Sequence, residues 1–212
     1  MTKISSRRTV VLLFGIMIGL SSINHGVFEV IQGNKPITEF FISAIGPEQQ
    51  MWEHGKEGAV TLWKTYQSSG IAAIFFGLSM LLWSIIGIHK RFGPWIFLTL
   101  AIGSLLSGGG VAQIVLFSVN FNLALRIHKT AGNMSKRLSE NSRNLLAGLW
   151  LPSTIAAMVL GILAMFMGVT GWFPGVNQPN TALIITLVNV LSSMFLFCFA
   201  FICGKQRDLL NE

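Results

Sequence analysis

The chain has 212 residues, of which 52% are hydrophobic and only 11% are charged. Soluble domains average about 25% charged residues, so this composition indicates a membrane protein and excludes an ordinary soluble domain. The formal net charge of +7 does not indicate nucleic-acid binding, because the basic residues lie in short segments beside apolar runs.

Six apolar runs, taken in chain order, predict an all-α, polytopic membrane bundle that forms a single domain over residues 1–212. The predicted spans are 9–28, 67–88, 93–107, 111–125, 145–169 and 181–203. The third and fourth are short and meet at Gly108, Gly109 and Gly110.

The glycine triplet lies in the middle of a run from Phe92 to Leu125 that has no ionisable side chain. A straight helix over that run would measure about 51 Å, against about 30 Å for the hydrocarbon core of a membrane. Two short segments joined at the glycines fit better. Both a full two-span hairpin and a re-entrant hairpin return the chain to the side from which it came.

The distribution of lysine and arginine predicts the orientation. With six spans and a cytoplasmic N-terminus, only Lys35, Lys56 and Lys64 lie outside, and every other lysine and arginine is cytoplasmic. Both termini are then cytoplasmic, a basic cytoplasmic loop covers 126–144, and the region 29–66 forms an outer loop with an interfacial helix.

The first span carries a polar stripe near its outer end. Ser22, His25, Glu29 and Gln32 are three, four and three residues apart, so they project from one side of a helix. A histidine or glutamate facing lipid would be costly, which favours a stripe that faces other helices or a wet cavity. His25 and Glu29, four residues apart, can approach each other on successive turns.

The outer loop adds Glu53, His54 and Glu57. If the loop folds back over the first span, the seven residues predict a polar ligand-binding site on the outer face. The predicted ligand-binding residues are Ser22, His25, Glu29, Gln32, Glu53, His54 and Glu57. The alternative interpretation is a solvated helix end and an ordinary interhelical hydrogen bond.

A divalent metal is a second alternative for the same region. Its candidate ligands are His25, Glu29, Glu53, His54 and Glu57, although their spacing is not that of a His-Glu-x-x-His motif. Haem is not expected, because the remaining histidines, His89 and His128, adjoin basic residues at a membrane edge. The sequence therefore leaves the cofactor undetermined.

Three classes of function agree with these features. The first is a small transporter, channel or ligand-binding subunit with a polar outer pocket, because interrupted spans can mark substrate sites. The second is an intramembrane enzyme that acts on a lipid or another apolar substrate, with His25 and Glu29 as catalytic candidates. The third is an accessory subunit that docks through the small-residue face of the fifth span, which contains Ala157, Gly161, Ala164 and Gly168.

The expected partners are membrane lipids, a small-molecule ligand, and a second copy or another membrane protein, with no nucleic acid. From Asn144 to Gly204 the two cysteines are the only ionisable side chains, which argues against a proton relay that crosses the membrane.

Overall fold

The computed structural model describes residues 5–129 and 138–210. The predicted basic loop at 126–144 therefore lies partly outside the described residues. Helices and one small antiparallel sheet make up the regular structure of the described part. In chain order these are α1 (Ser6–Ile31), β1 (Phe41–Ser43), β2 (Gly58–Val60), α2 (Tyr66–Ile86), α3 (Gly93–Leu105), α4 (Gln113–Ala124), α5 (Glu140–Thr170) and α6 (Pro179–Leu209).

Four helices, α1, α2, α5 and α6, are long and apolar enough to cross a membrane, which is consistent with the predicted membrane protein. The helices α3 and α4 have 13 and 12 residues. At 1.5 Å per residue they rise only about 20 and 18 Å, less than the thickness of the hydrocarbon core. Six crossings and cytoplasmic termini stay predictions.

Polar residues just before the apolar runs fix several helix starts. The Ser5 side chain accepts a hydrogen bond from the Arg8 amide at the start of α1, and Thr65 and Ser68 form a capping box at the start of α2. The Ser139 side chain caps α5 in the same way. These caps explain why α1 and α5 begin before the apolar runs that predicted them.

Glycines bring α1 and α2 into backbone contact. A Cβ atom on Gly19 would lie 2.8 Å from the carbonyl oxygen of Gly77, and one on Gly26 would lie 2.6 Å from that of Gly70. Such separations leave no room for side chains. The close crossing holds the outer half of α1, with its polar stripe, against α2.

The small-residue face of α5 is buried, as the sequence predicts. Ala157 and Ala164 are buried, and the Ser193 hydroxyl of α6 donates a 2.7 Å hydrogen bond to the Ala157 carbonyl oxygen. A side chain on Gly161 would overlap the Met17 sulfur of α1. This face therefore joins α5 to both α6 and α1.

The prediction of an interfacial helix within 29–66 is wrong. After α1 ends at Ile31, the loop forms the β1–β2 hairpin, with Ile42 opposite Ala59. The glycine bend supplies a further neighbour for β2, since the Gly108 amide donates to the Val60 carbonyl at 2.8 Å and the Val111 amide donates to the Gly58 carbonyl at 3.0 Å. These long-range bonds satisfy the backbone that a local helix would otherwise satisfy.

The other end of the bundle gathers basic residues. Arg7 forms a 2.9 Å ion pair with Asp208, which joins the start of α1 to the end of α6. Arg7 also donates to the Lys129 carbonyl at 2.8 Å, and His128 bonds the His89 carbonyl at 2.7 Å. This is the end that the sequence predicts as cytoplasmic, so the glycine bend and the hairpin share the opposite end.

Candidate functional site

A cavity of about 380 Å³ opens between α1, α4, α5, α6 and the outer loop. Its walls are polar where the loop covers it and apolar between the helices. The polar groups at the loop end include His25, His54, Lys56, Glu57 and Gln113. The apolar groups include Met17, Leu116, Ala164, Met165, Leu187 and Val190.

An ion pair between α1 and the loop forms the polar end. His25 Nε2 lies 2.5 Å from Glu57 Oε2. His25 is buried, whereas the Glu57 side chain retains 30% of its exposure. Two bonds hold this part of the loop: the Glu57 carbonyl accepts from the Ala44 amide at 2.8 Å, and the Trp52 indole donates to the Gly168 carbonyl of α5 at 2.9 Å.

The environment of Glu57 favours its carboxylate form. Burial by itself raises the pKa of Glu57, but the charge of His25 and the hydrogen bond between the two side chains outweigh it. The pKa of Glu57 is therefore held below its ordinary value. The cavity thus presents a fixed negative group that is already paired with an imidazole.

His54 and Lys56 complete the loop side of the cavity. His54 Nε2 lies 2.8 Å from the Asn180 side-chain oxygen at the start of α6, and the His54 and Trp52 rings make an edge-to-face contact. Lys56 lines the cavity and is exposed. The loop is therefore attached to α5 through Trp52 and to α6 through His54.

Gln113 connects the cavity to the polar stripe of α1. Its Nε2 donates to Ser21 Oγ at 3.1 Å, and its Oε1 accepts from the Ser22 hydroxyl at 2.8 Å. Gln113 and Ser21 line the cavity, while Ser22 is fully buried behind them. Ser22 therefore orients Gln113 and does not itself face the cavity.

The apolar part of the cavity reaches the outer surface of the bundle. Leu187 lines the cavity and is 53% exposed. It lies two turns inside α6, on a helix apolar enough to cross a membrane. The cavity therefore has a side opening at a depth where hydrocarbon surrounds the helix.

Glu29 is separated from this cavity. It is 0% exposed and does not line the cavity. Its carboxylate packs against Gly108, where any side chain would overlap it. Gly110, two residues on, packs against the His25 ring. Both glycines have positive φ angles, +89° and +84°, which other residues rarely adopt.

The structure assembles only part of the predicted site. His25, His54 and Glu57 meet at the cavity. Gln32 instead donates to the Ala44 carbonyl at 2.7 Å and holds the loop, and Glu53 is exposed and does not line the cavity. The predicted approach of His25 to Glu29 does not become a hydrogen bond, since His25 bonds Glu57 from a distant part of the chain.

The five candidate metal ligands do not converge. Within residues 5–129 and 138–210, no three histidine, cysteine, aspartate or glutamate side chains form a group that could hold a metal ion. The likely partner of His25 in any chemistry is one carboxylate, that of Glu57.

Several cavity residues carry little signal in the sequence. Thr186 and Ser193 form a helical stripe on α6 that the sequence explains equally well as interhelical bonding. Gln113 follows the glycine bend without any motif around it. Only the folded arrangement shows that all three line the cavity.

The comparisons with known proteins give no family assignment. No protein-family model matches the chain, and no curated protein or solved structure matches it either. The geometry of the site therefore carries the functional argument.

Proposed function

We propose that this chain is a membrane protein that binds an amphipathic, lipid-like molecule in the cavity between α4, α5 and α6. The observation that carries this proposal is the position of the His25–Glu57 pair at one end of an otherwise mainly apolar cavity. Ligand-binding pockets commonly combine apolar walls with a few oriented polar groups. Here the polar groups would hold the head of the molecule and the helices its apolar part.

The side opening supports a lipid-like ligand over a water-soluble one. A polar solute would reach the loop end from water, but it would leave the apolar walls without partners. An amphipathic molecule can pass Leu187 from the hydrocarbon region with its apolar part already desolvated. A cavity of about 380 Å³ lies within the roughly 300–1,000 Å³ typical of small-molecule sites.

The head-group contacts would come from groups fixed before binding. His25 is held by Glu57, and Gln113 by Ser21 and Ser22. Because these side chains are already ordered, binding costs little side-chain entropy. Lys56 and His54 add positive or hydrogen-bonding groups at the loop end, so the head is expected to be an oxygen-rich group.

The test is mass spectrometry of the intact protein purified from membranes in a mild detergent. The wild type is expected to retain about one lipid-like molecule per chain. Leu187→Trp should reduce this occupancy by filling the side opening, and it replaces a half-exposed residue, so the helix packing is preserved. Glu57→Gln should reduce occupancy by removing the charge that orients His25.

Glu53→Gln is the matched control, because Glu53 is an exposed carboxylate in the same loop that does not line the cavity. It should retain the molecule as the wild type does. Equal occupancy in the wild type, Leu187→Trp and Glu57→Gln would reject the proposal. So would a wild-type protein that carries no retained molecule after extraction in several detergents.

An intramembrane enzyme is the second candidate, and the 2.5 Å contact between His25 and Glu57 favours it. A carboxylate that orients a histidine beside a cavity is an arrangement suited to general acid–base catalysis. The same mass spectra separate the two functions. An enzyme would convert the retained molecule on incubation, and His25→Gln would stop the conversion, whereas a binding protein would release the molecule unchanged.

A further inference from the structure

We infer that the glycine bend between α3 and α4 forms, together with Glu29, a binding site for a monovalent cation of the size of Na⁺. This site is separate from the cavity of the proposed function, because Glu29 does not line that cavity. The inference depends on what surrounds the Glu29 carboxylate and on what is missing around it.

The first observation is the isolation of the carboxylate. Glu29 is 0% exposed, and neither of its oxygens has a hydrogen-bond partner among the described residues. Burying an ionised carboxylate without a partner is very costly, so a structure that buries one must neutralise it. Its nearest charged neighbour in α1, His25, has its short contact with Glu57 instead.

The second observation is that the amides of the bend point elsewhere. The Gly108 amide donates to the Val60 carbonyl at 2.8 Å, the Gly109 amide to the Ser104 carbonyl at 2.9 Å, and the Val111 amide to the Gly58 carbonyl. A bend that bound an anion would turn such amides toward it. This bend instead directs them to carbonyl groups and leaves the carboxylate facing oxygen atoms.

The third observation is the supply of those oxygens. The carbonyl oxygens of Ser107 and Gly108 accept no hydrogen bond within the described residues, and both adjoin the position where Gly108 meets Glu29. The Ser69 hydroxyl also lies beside Glu29, and its own bond goes to Thr61 Oγ1 at 2.8 Å. Carboxylate, carbonyl and hydroxyl oxygens are the ligands of hard cations.

The position in the fold agrees with this chemistry. Gly108 lies just beyond the C-terminal end of α3, where the helix dipole is negative and attracts cations. Interrupted membrane helices place unwound carbonyls and half-helix C-terminal ends around Na⁺ in several transporters. Gly108 leaves the space for the carboxylate, since a side chain there would overlap it.

The charge of the site favours a monovalent ion. Glu29 supplies one negative charge, and the described residues offer no second carboxylate beside it. One Na⁺ neutralises this charge, whereas a divalent ion would leave a buried positive charge near His25. A proton would neutralise the carboxylate equally well, so the test must separate the two.

The test is the thermal stability of the full-length protein in detergent at constant pH and ionic strength, with NaCl replacing choline chloride. The Tm is expected to rise with Na⁺ concentration and then saturate, because an ion that binds only the folded state stabilises it. Glu29→Gln should weaken the apparent Na⁺ affinity by more than about tenfold, since even outer-shell groups of ion sites contribute 10–100-fold. Glu53→Gln, an exposed carboxylate, should respond as the wild type does.

Three results would overturn the proposal. The first is a wild-type Tm that is equal in NaCl and choline chloride, which needs no variant to fold. The second is a Tm that changes with pH and not with Na⁺, which would show that Glu29 holds a proton only. The third is a Na⁺ response that Glu29→Gln leaves intact. If Glu29→Gln does not fold, binding of radioactive Na⁺ to the wild type, measured with and without excess choline, decides the question.

Discussion

Gly108 leaves the space that the Glu29 carboxylate occupies, although the two residues belong to different helical segments. A Cβ atom at position 108 would overlap both carboxylate oxygens and the carbon that joins them. The φ angle of +89° is a second reason for glycine at this position. The glycine triplet therefore positions the functional part of α1 as well as bending the chain.

Replacement of Gly108 by alanine should destabilise the protein through both effects. The backbone strain of a positive φ contributes about 1–3 kcal/mol, and the overlap with Glu29 should add about 1–3 kcal/mol of overpacking. Gly33→Ala is the matched control, because Gly33 has a φ of +76° with nothing within 4 Å of its Cβ position. The Tm of each variant, followed by tryptophan fluorescence, gives the comparison.

The overlap part of this effect can be separated from the strain. In a Glu29→Ala background, Gly108→Ala should cost about as much as Gly33→Ala, because the carboxylate is no longer there to be displaced. Equal costs for Gly108→Ala and Gly33→Ala in the wild-type background would show that the contact with Glu29 is absent.

The sequence predicted the helices well and the loop poorly, for a physical reason. Long apolar runs next to capping residues such as Ser5 and Ser139 determine helices locally. The β1–β2 hairpin depends on bonds between residues distant in the chain, such as that from the Gly108 amide to the Val60 carbonyl. No local pattern around Val60 indicates that partner.

The candidate site shows the same division. The stripe spacing correctly placed His25 and Ser22 on the interior side of α1, where both are buried. It also suggested Glu29 as the partner of His25, because a helix brings residues four apart together. The structure gives the hydrogen bond to Glu57, since the loop that carries Glu57 is held over α1 by tertiary contacts.

The close crossing of α1 and α2 leads to a second prediction. Gly70→Ala should lower the Tm, because its Cβ would overlap the Gly26 carbonyl oxygen and overpacking costs about 1–3 kcal/mol. Gly148→Ala is the control in another helix, with nothing within 4 Å of its Cβ position. There alanine should be neutral or stabilising by up to about 1 kcal/mol through helix propensity. A Gly70→Ala variant as stable as Gly148→Ala would contradict the backbone contact.

The ion pair of Glu57 leads to a prediction about acid stability. Because the folded-state pKa of Glu57 lies below its ordinary value of 4.5, the unfolded chain binds more protons between these two values. The stabilisation from Glu57 is therefore complete above about pH 4.5 and is lost as the pH falls through the folded-state pKa. Glu57→Gln should remove this contribution.

The measurement is the Tm of the wild type and of Glu57→Gln across the acidic range. The wild type should be the more stable at neutral pH, and the difference should shrink as the pH falls. Glu53→Gln, in the same loop without a partner for its carboxylate in the described structure, should follow the wild type throughout. A difference between the wild type and Glu57→Gln that stays constant with pH would show that Glu57 stabilises the fold by packing alone.

The orientation in the membrane can be tested with single cysteines introduced after Cys198 and Cys203 have been replaced by alanine. The six-crossing prediction places Ser135, in the basic loop, in the cytoplasm and Leu62, which is 68% exposed beside β2, outside. A membrane-impermeant maleimide added to intact cells should therefore label Leu62→Cys, and should label Ser135→Cys only after the cells are opened. Because the α3–α4 hairpin returns the chain to one side whether or not it crosses fully, the same result is expected for both forms. External labelling of Ser135→Cys would instead mean that an odd number of crossings separates it from the N-terminal segment, and the charge-based orientation would be wrong.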